Sequence, residues 1–133
     1  MKRYEAIYLV DDYEMVNFLH RILLEKLGYK DNINIFTNPR KALEDLSSME
    51  GHMQPTLILL DINMPEMSGF EFLEQMVREG FPQNMDVVIV TSSISETDRA
   101  AAQKYPGFVK GFIIKPLKID QLRTLVEPVD RAV

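Results

Sequence analysis

Four short stretches carry side chains that can act on a charged substrate: Asp11-Asp12, Asp61, Thr91-Ser92 and Lys115-Pro116, with Asn63 two positions beyond Asp61. Three carboxylates brought to one rim would repel one another and need a cation. With no His or Cys among them, the donor set is all oxygen, which favours a hard ion, Mg²⁺ above others. The backbone carbonyl of Asn63 is placed to turn toward the same ion. A carboxylate is also a nucleophile toward phosphorus, giving an aspartyl phosphate. Asp61 is the candidate acceptor, because it ends the run expected to be the central strand. An attacked phosphoryl group carries charge on three oxygens and needs opposing cations and donors. The ion supplies one, the Lys115 ammonium a second and the Thr91 hydroxyl a third.

These stretches stand together only if the chain folds to align them. Each follows directly on an apolar run: Ala6–Val10, 57–60, 87–90 and 112–114. A further run, Ile33–Phe36, alternates polar and apolar and reads as an edge strand. Between the runs, apolar residues recur at helical spacing: Val16, Leu19, Leu23 and Leu27; Ala42, Leu43, Leu46 and Met49; Phe70, Leu73 and Val77; Ile119, Leu122, Val126 and Val129. A fourth helix is expected over 96–105, weakly packed because it offers alanines and Tyr105 but no Leu, Ile or Val. Asn38-Pro39, the Ser68/Glu71 capping box and its Ser95/Asp98 variant mark helix starts, and Gly28 and Gly80 mark ends. The reading is an α/β (βα)₅ fold, a doubly wound five-stranded parallel sheet of flavodoxin-like order 2-1-3-4-5. Ligands of such sheets bind outside the carboxyl ends of the strands, where these polar residues fall.

The chain has 133 residues, 46% hydrophobic and 26% charged, and net charge −5. Those values fit one domain, residues 1–133, with no output domain expected after the last helix. The acidic balance argues against a nucleic-acid partner held through phosphates. No apolar run approaches the ~18 residues of a membrane span, and the absence of cysteine suits a reducing compartment, so a cytoplasmic location is expected.

The residues at these positions resemble the receiver domain of two-component response regulators. Asp11-Asp12, Asp61 within LLDINMPEMSGFEFL, Thr91 and Lys115-Pro116 match that family in order and spacing over nearly the whole chain. The resemblance implies that Asp61 accepts a phosphoryl group from a histidine kinase or phosphotransfer protein. Asp11, Asp12, Asp61 and the Asn63 carbonyl would handle Mg²⁺, Thr91 would turn toward the phosphoryl group, and Lys115 would pair with it. It also implies a cis bond before Pro116 and a switch aromatic at Phe112, working by packing since a Phe has no hydroxyl. Its output face is the fourth helix, fifth strand and fifth helix, contacting a downstream protein target, in a monomer or weak homodimer. Ser92 departs from the small residue common there and would narrow access to Asp61, while Ser93 and Asn63 stand where dephosphorylation is tuned. On this reading the chain is a switch rather than an enzyme.

Plainer readings exist for each residue. Asp11 and Asp12 would favour a helix dipole, Asp61 a turn, Thr91 a strand end and Lys115 the surface; their common register is what promotes them. Two other functions use similar parts. A haloacid-dehalogenase-type phosphatase carries D-x-D after its first strand, where this chain has D-D-Y-E. A nucleotide-binding module needs a glycine-rich phosphate loop, and none is present. His20 and His52 lack partners at metal-ligand spacing and are expected at the surface. Tyr105, Phe108 and Phe112 are expected to form a partner-facing aromatic patch.

Overall fold

The structure is a computed structural model that describes residues 2–48 and 54–128. Ten elements alternate: β1 Ala6–Val10, α1 Glu14–Lys26, β2 Ile33–Phe36, α2 Pro39–Ser48, β3 Thr56–Leu60, α3 Gly69–Arg78, β4 Met85–Thr91, α4 Glu96–Ala102, β5 Val109–Ile114 and α5 Ile119–Val126. The strands form one parallel sheet in the order β2-β1-β3-β4-β5. The expected architecture and order are therefore the observed ones.

Burial explains the composition of the strands. β1 and β3 are buried at all five positions because both sheet faces are covered. On one face, Tyr8, Val10, Ile58, Leu60 and Ile89 pack against Leu46 of α2, Phe72 and Met76 of α3 and Ala102 of α4. On the other, Ile7, Leu9, Leu57, Leu59 and Val90 meet Leu24 of α1 and Leu122 and Val126 of α5. β2 has no buried residue, as its edge position dictates.

The boundary signals act through visible bonds. The Asn38 side chain accepts from the Arg40 and Lys41 amides at the start of α2, and Ser68 and Glu71 bond reciprocally at the start of α3. Gly28 and Gly80 have φ of +94° and +67°, which end α1 and α3 at little steric cost. Ser95 caps α4 by accepting from the Asp98 amide, but the Asp98 carboxylate accepts from Ser93 instead of completing the box.

Three helix stripes differ from expectation. In α1 the buried positions are Asn17, His20 and Leu24, while Leu19 is exposed. His20 is thus a buried residue at 6% exposure rather than a surface one, because it shares one face of α1 with the buried Asn17 and Leu24. In α3 the buried face is Phe72, Leu73 and Met76, with Val77 in solvent. α4 ends at Ala102, not 105, since the chain turns through 103–108 to feed β5. The aromatic patch is also corrected: Phe108 is buried in the core, and the half-buried Tyr105 and Phe112 pack against that core. Met49, His52 and Val129 lie outside the described residues. Among the described residues no helix is long and apolar enough to cross a membrane.

Candidate functional site

The sheet ladder itself carries the reactive residues to one rim. The Asp11 amide bonds to the Phe36 carbonyl, the Asp61 amide to Val10 and the Lys115 amide to Thr91, so each residue continues its strand by one step. Asp11, Asp61 and Thr91 are all at least 95% buried, at 3%, 5% and 0% exposure. Lys115 reaches across this rim. Its Nζ lies 2.6 Å from Asp11 Oδ2 and 3.7 Å from Asp61 Oδ1. Thr91 stands close enough to Asp61 for its side chain to favour the ionised carboxylate, and its hydroxyl accepts from the Ser93 amide at 3.2 Å. The structure thus brings Asp11, Asp12, Asp61, Thr91 and Lys115 together.

Several backbone features hold Asp61 in place. Its Oδ1 accepts from the Ile62 amide at 2.9 Å. Gly69 opens α3 directly against it: a Cβ there would sit 2.5 Å from the Asp61 carbonyl oxygen, so only glycine permits this approach. The Gly69 amide closes the turn onto Ile62 O at 2.8 Å. Asn63, exposed, lies just beyond within that turn.

Electrostatics here are unbalanced in the acidic direction. Burial first, and the neighbouring Asp11 charge second, raise the Asp61 pKa above the ordinary carboxylate value. Lys115, the Ile62 amide and Thr91 pull it back without cancelling that rise. Carboxylate oxygens of Asp11, Asp12 and Asp61 lie within 4.8 Å of one another. Asp12 Oδ1 is buried without a hydrogen-bond partner. A buried acceptor left unpaired costs ~1–3 kcal/mol, and a divalent cation would satisfy it. The donor set, all oxygen and two-thirds buried, fits a hard cation.

Behind the rim the sequence reading missed two side chains. Asn17, 1% exposed, donates from Nδ2 to the Asp11 carbonyl at 2.9 Å and the Phe36 carbonyl at 3.2 Å, tying the ends of β1 and β2 to α1. Position 17 lies off the stripe Val16, Leu19, Leu23 and Leu27 expected to face the core, so the apolar period gave no signal of its burial. His20 has its pKa pushed down to about 4 by burial; Asp11 opposes this and Lys115 adds to it. Around the rim Tyr13, which precedes α1, and Met15, Phe18 and Leu19 within it are also exposed.

The Lys115-Pro116 peptide is cis. Phe112, half-buried on β5, lies under the Arg99 guanidinium, 4.9 Å from its ring centroid. Ser92 is exposed, whereas Ser93 donates its hydroxyl to Asp98 at 2.6 Å.

Known proteins resemble this chain in sequence and in fold. The chain is 32% identical over 125 residues to the probable methanogenesis regulatory protein FilR2 of Methanothrix harundinacea, covering 92% of this chain and 79% of that one. It is 33% identical to the luminescence regulatory protein LuxO of Vibrio campbellii over 89% of its own length, but spans only 24% of LuxO. Among solved structures, a two-component response regulator from Cytophaga hutchinsonii superposes with a TM-score of 0.80 at 25% identity, covering 92% of this chain and 93% of that one. The family model for the response regulator receiver domain matches residues 7–127, and the chain belongs to that family.

Proposed function

We propose that Asp61 is the phosphoryl acceptor of this receiver domain and that the aspartyl phosphate switches a protein-binding face. One observation carries the reading: a cation, Lys115, is held between two buried carboxylates, beside a third carboxylate oxygen with no partner. In the transfer, an Asp61 carboxylate oxygen forms a bond to phosphorus while the donor's bond to phosphorus breaks. From a phosphohistidine donor, the electron pair returns to the imidazole nitrogen. Mg²⁺ bound by Asp11, Asp12, Asp61 and the Asn63 carbonyl would supply charge neutralisation for the phosphoryl oxygens.

The protein's own groups do the remainder. Lys115 exchanges its contact with Asp11 for the new phosphoryl oxygen, a short move given its 3.7 Å separation from Asp61. Thr91 donates its hydroxyl to the same group. The exposed apolar residues of α1, Met15 and Leu19 among them, provide the surface across which a histidine kinase or phosphotransfer protein approaches. Output passes through α4, β5 and α5 to a protein target. The switch needs little energy: changing an equilibrium tenfold takes ~1.4 kcal/mol, within reach of one charge-assisted hydrogen bond. Beyond forming and hydrolysing its own acyl phosphate, the domain turns over no substrate.

Intact mass after incubation with acetyl phosphate and Mg²⁺ tests this. The native chain gains one phosphoryl group (~80 Da), and Asp61→Asn gains none. An adduct that persists in Asp61→Asn, or that forms equally well with Mg²⁺ chelated, would overturn the assignment.

A further inference from the structure

The β1–α1 turn carries both Asp11 and Asp12, yet the residue at the cap of α1 does little to hold it: Tyr13 makes no side-chain cap bond. A closed ring of bonds around Asp11 holds the turn instead. The Asp11 amide donates to the Phe36 carbonyl at 3.2 Å. Asn17, at the end of the first turn of α1, donates from Nδ2 to that same carbonyl at 3.2 Å and to the Asp11 carbonyl at 2.9 Å. The Asp11 carboxylate accepts from the Tyr13 amide through Oδ1 at 2.9 Å, and its Oδ2 meets Lys115.

These bonds reach the acid pair through the backbone. The Asp11 carbonyl belongs to the planar peptide that joins Asp11 to Asp12. Fixing that oxygen fixes the plane, and with it the direction in which Asp12 leaves the strand. Both Nδ2 hydrogens of Asn17 are used, one on each carbonyl. The side chain is 1% exposed, so water does not stand ready to replace it as a donor. Its Oδ1 is buried with no hydrogen-bond partner among the described residues. A buried acceptor left unpaired opposes folding, so the amide serves this position through its two donor hydrogens alone.

We infer that Asn17 is a positioning residue for the divalent cation: by holding the Asp11–Asp12 peptide it keeps both carboxylates beside Asp61, and so sets the affinity of the acid cluster for Mg²⁺. The inference rests on Asp11, Asp12 and Asp61 holding that ion. Their carboxylate oxygens lie within 4.8 Å of one another, and like charges so close drive a free turn apart. Without the Asn17 amide the peptide can rotate, and the Asp12 carboxylate relaxes away from the other two. Binding an ion then has to order the turn as well, which weakens it.

Mg²⁺ titrations followed by the ¹H–¹⁵N shifts of the Asp12, Tyr13 and Asn63 amides read the affinity, and urea denaturation with Mg²⁺ chelated reads the stability. Asn17→Leu and Asn17→Ala should each weaken Mg²⁺ binding about tenfold, the usual size for a residue that orients metal ligands without touching the ion. Leu24→Ala, on the same buried face of α1, is the control. Its side chain is 0% exposed, so the truncation lowers the urea midpoint more than Asn17→Leu does but leaves the Mg²⁺ affinity native. Native affinity in both Asn17 variants overturns the positioning role and leaves the ion site standing. So does an equal loss of affinity in Leu24→Ala, or failure of both Asn17 variants to fold, since either makes Asn17 a support of the fold and nothing more. Absence of any Mg²⁺-dependent shift in the native chain overturns the cation reading and this inference with it.

Discussion

β1 and β3 are buried along their whole length, whereas none of the six residues of β5 is buried. The helices follow suit: α3 buries Gly69, Phe72, Leu73 and Met76, while α4 buries Ala102 alone. Asp61, the proposed acceptor, extends the densely packed side, and Phe112, the proposed switch aromatic, sits on the loosely packed one. Thr91 and Lys115 stand where the two meet. A nucleophile must be held to within a fraction of an ångström, which dense packing does. A switching element must have an alternative arrangement close in energy, which sparse packing allows.

Truncation sharpens that division most strongly. Phe72→Ala removes a ring that is 0% exposed and leaves a cavity in the closest-packed layer, so it should cost about 3–5 kcal/mol in urea denaturation. Val109→Ala on β5, where the side chain is half-buried, should cost about 1 kcal/mol. Equal losses would dissolve the distinction between the two halves.

The rim also contains two titrations of opposite sign, both on the packed side. Burial depresses His20 from 6.5 to about 4, so its neutral form is favoured by folding. That contribution is full above the unfolded pKa and is lost as pH falls from 6.5 toward 4, by at most about 3 kcal/mol. Asp61 works the other way: its raised pKa means the ionised carboxylate opposes folding near neutrality, and protonation relieves this as pH falls through the folded value. Asp61→Asn should therefore be more stable than the native chain at pH 7, and it should lose stability more steeply on acidification. Adding His20→Gln to Asp61→Asn should flatten the slope between pH 6.5 and 4. Denaturation at pH 7, 5.5 and 4.5 measures all three chains; an unchanged slope in the double variant would mean that His20 titrates normally.

The parts of the molecule legible in sequence are those set by chain-local rules. The strands and the rim residues followed from apolar runs that stop at Asp11, Asp61, Thr91 and Lys115, because a parallel sheet aligns its strand ends. The order 2-1-3-4-5 came instead from likeness to flavodoxin-like sheets. Capping at Asn38 and Ser68 followed from side chains that bond amides two or three residues away. Facing was less legible. Leu19 and Val77 fit an apolar period yet lie in solvent, while the polar Asn17 and His20 are buried, because the sheet decides which helix stripe it covers. Gly69 stands in the sequence as part of a turn, but its need comes from the Asp61 carbonyl eight residues earlier. The bonds from Ser93 to Asp98 and from Arg99 to Phe112 were illegible, since both depend on how α4 sits against β5.

Identical cap substitutions in the two halves give the smallest effect and the finest test. Ser68→Ala removes an acceptor 3.1 Å from the Glu71 amide, and Ser95→Ala one 3.3 Å from the Asp98 amide. Each loss is worth about 1 kcal/mol to its own helix. α3 is tied into the core by Phe72, Leu73 and Met76, so it unfolds only with the whole domain, and Ser68→Ala should lower global stability by that full amount. α4 can open alone, so Ser95→Ala should accelerate hydrogen exchange of the α4 amides, residues 96–102, about fivefold while shifting the global transition much less. If both variants moved the global transition alike, with exchange in α4 matching that in α3, α4 would belong to the rigid half of the molecule. The proposed aspartyl phosphate would then have to act through another element, because a helix that opens only with the whole fold has no separate state for it to select.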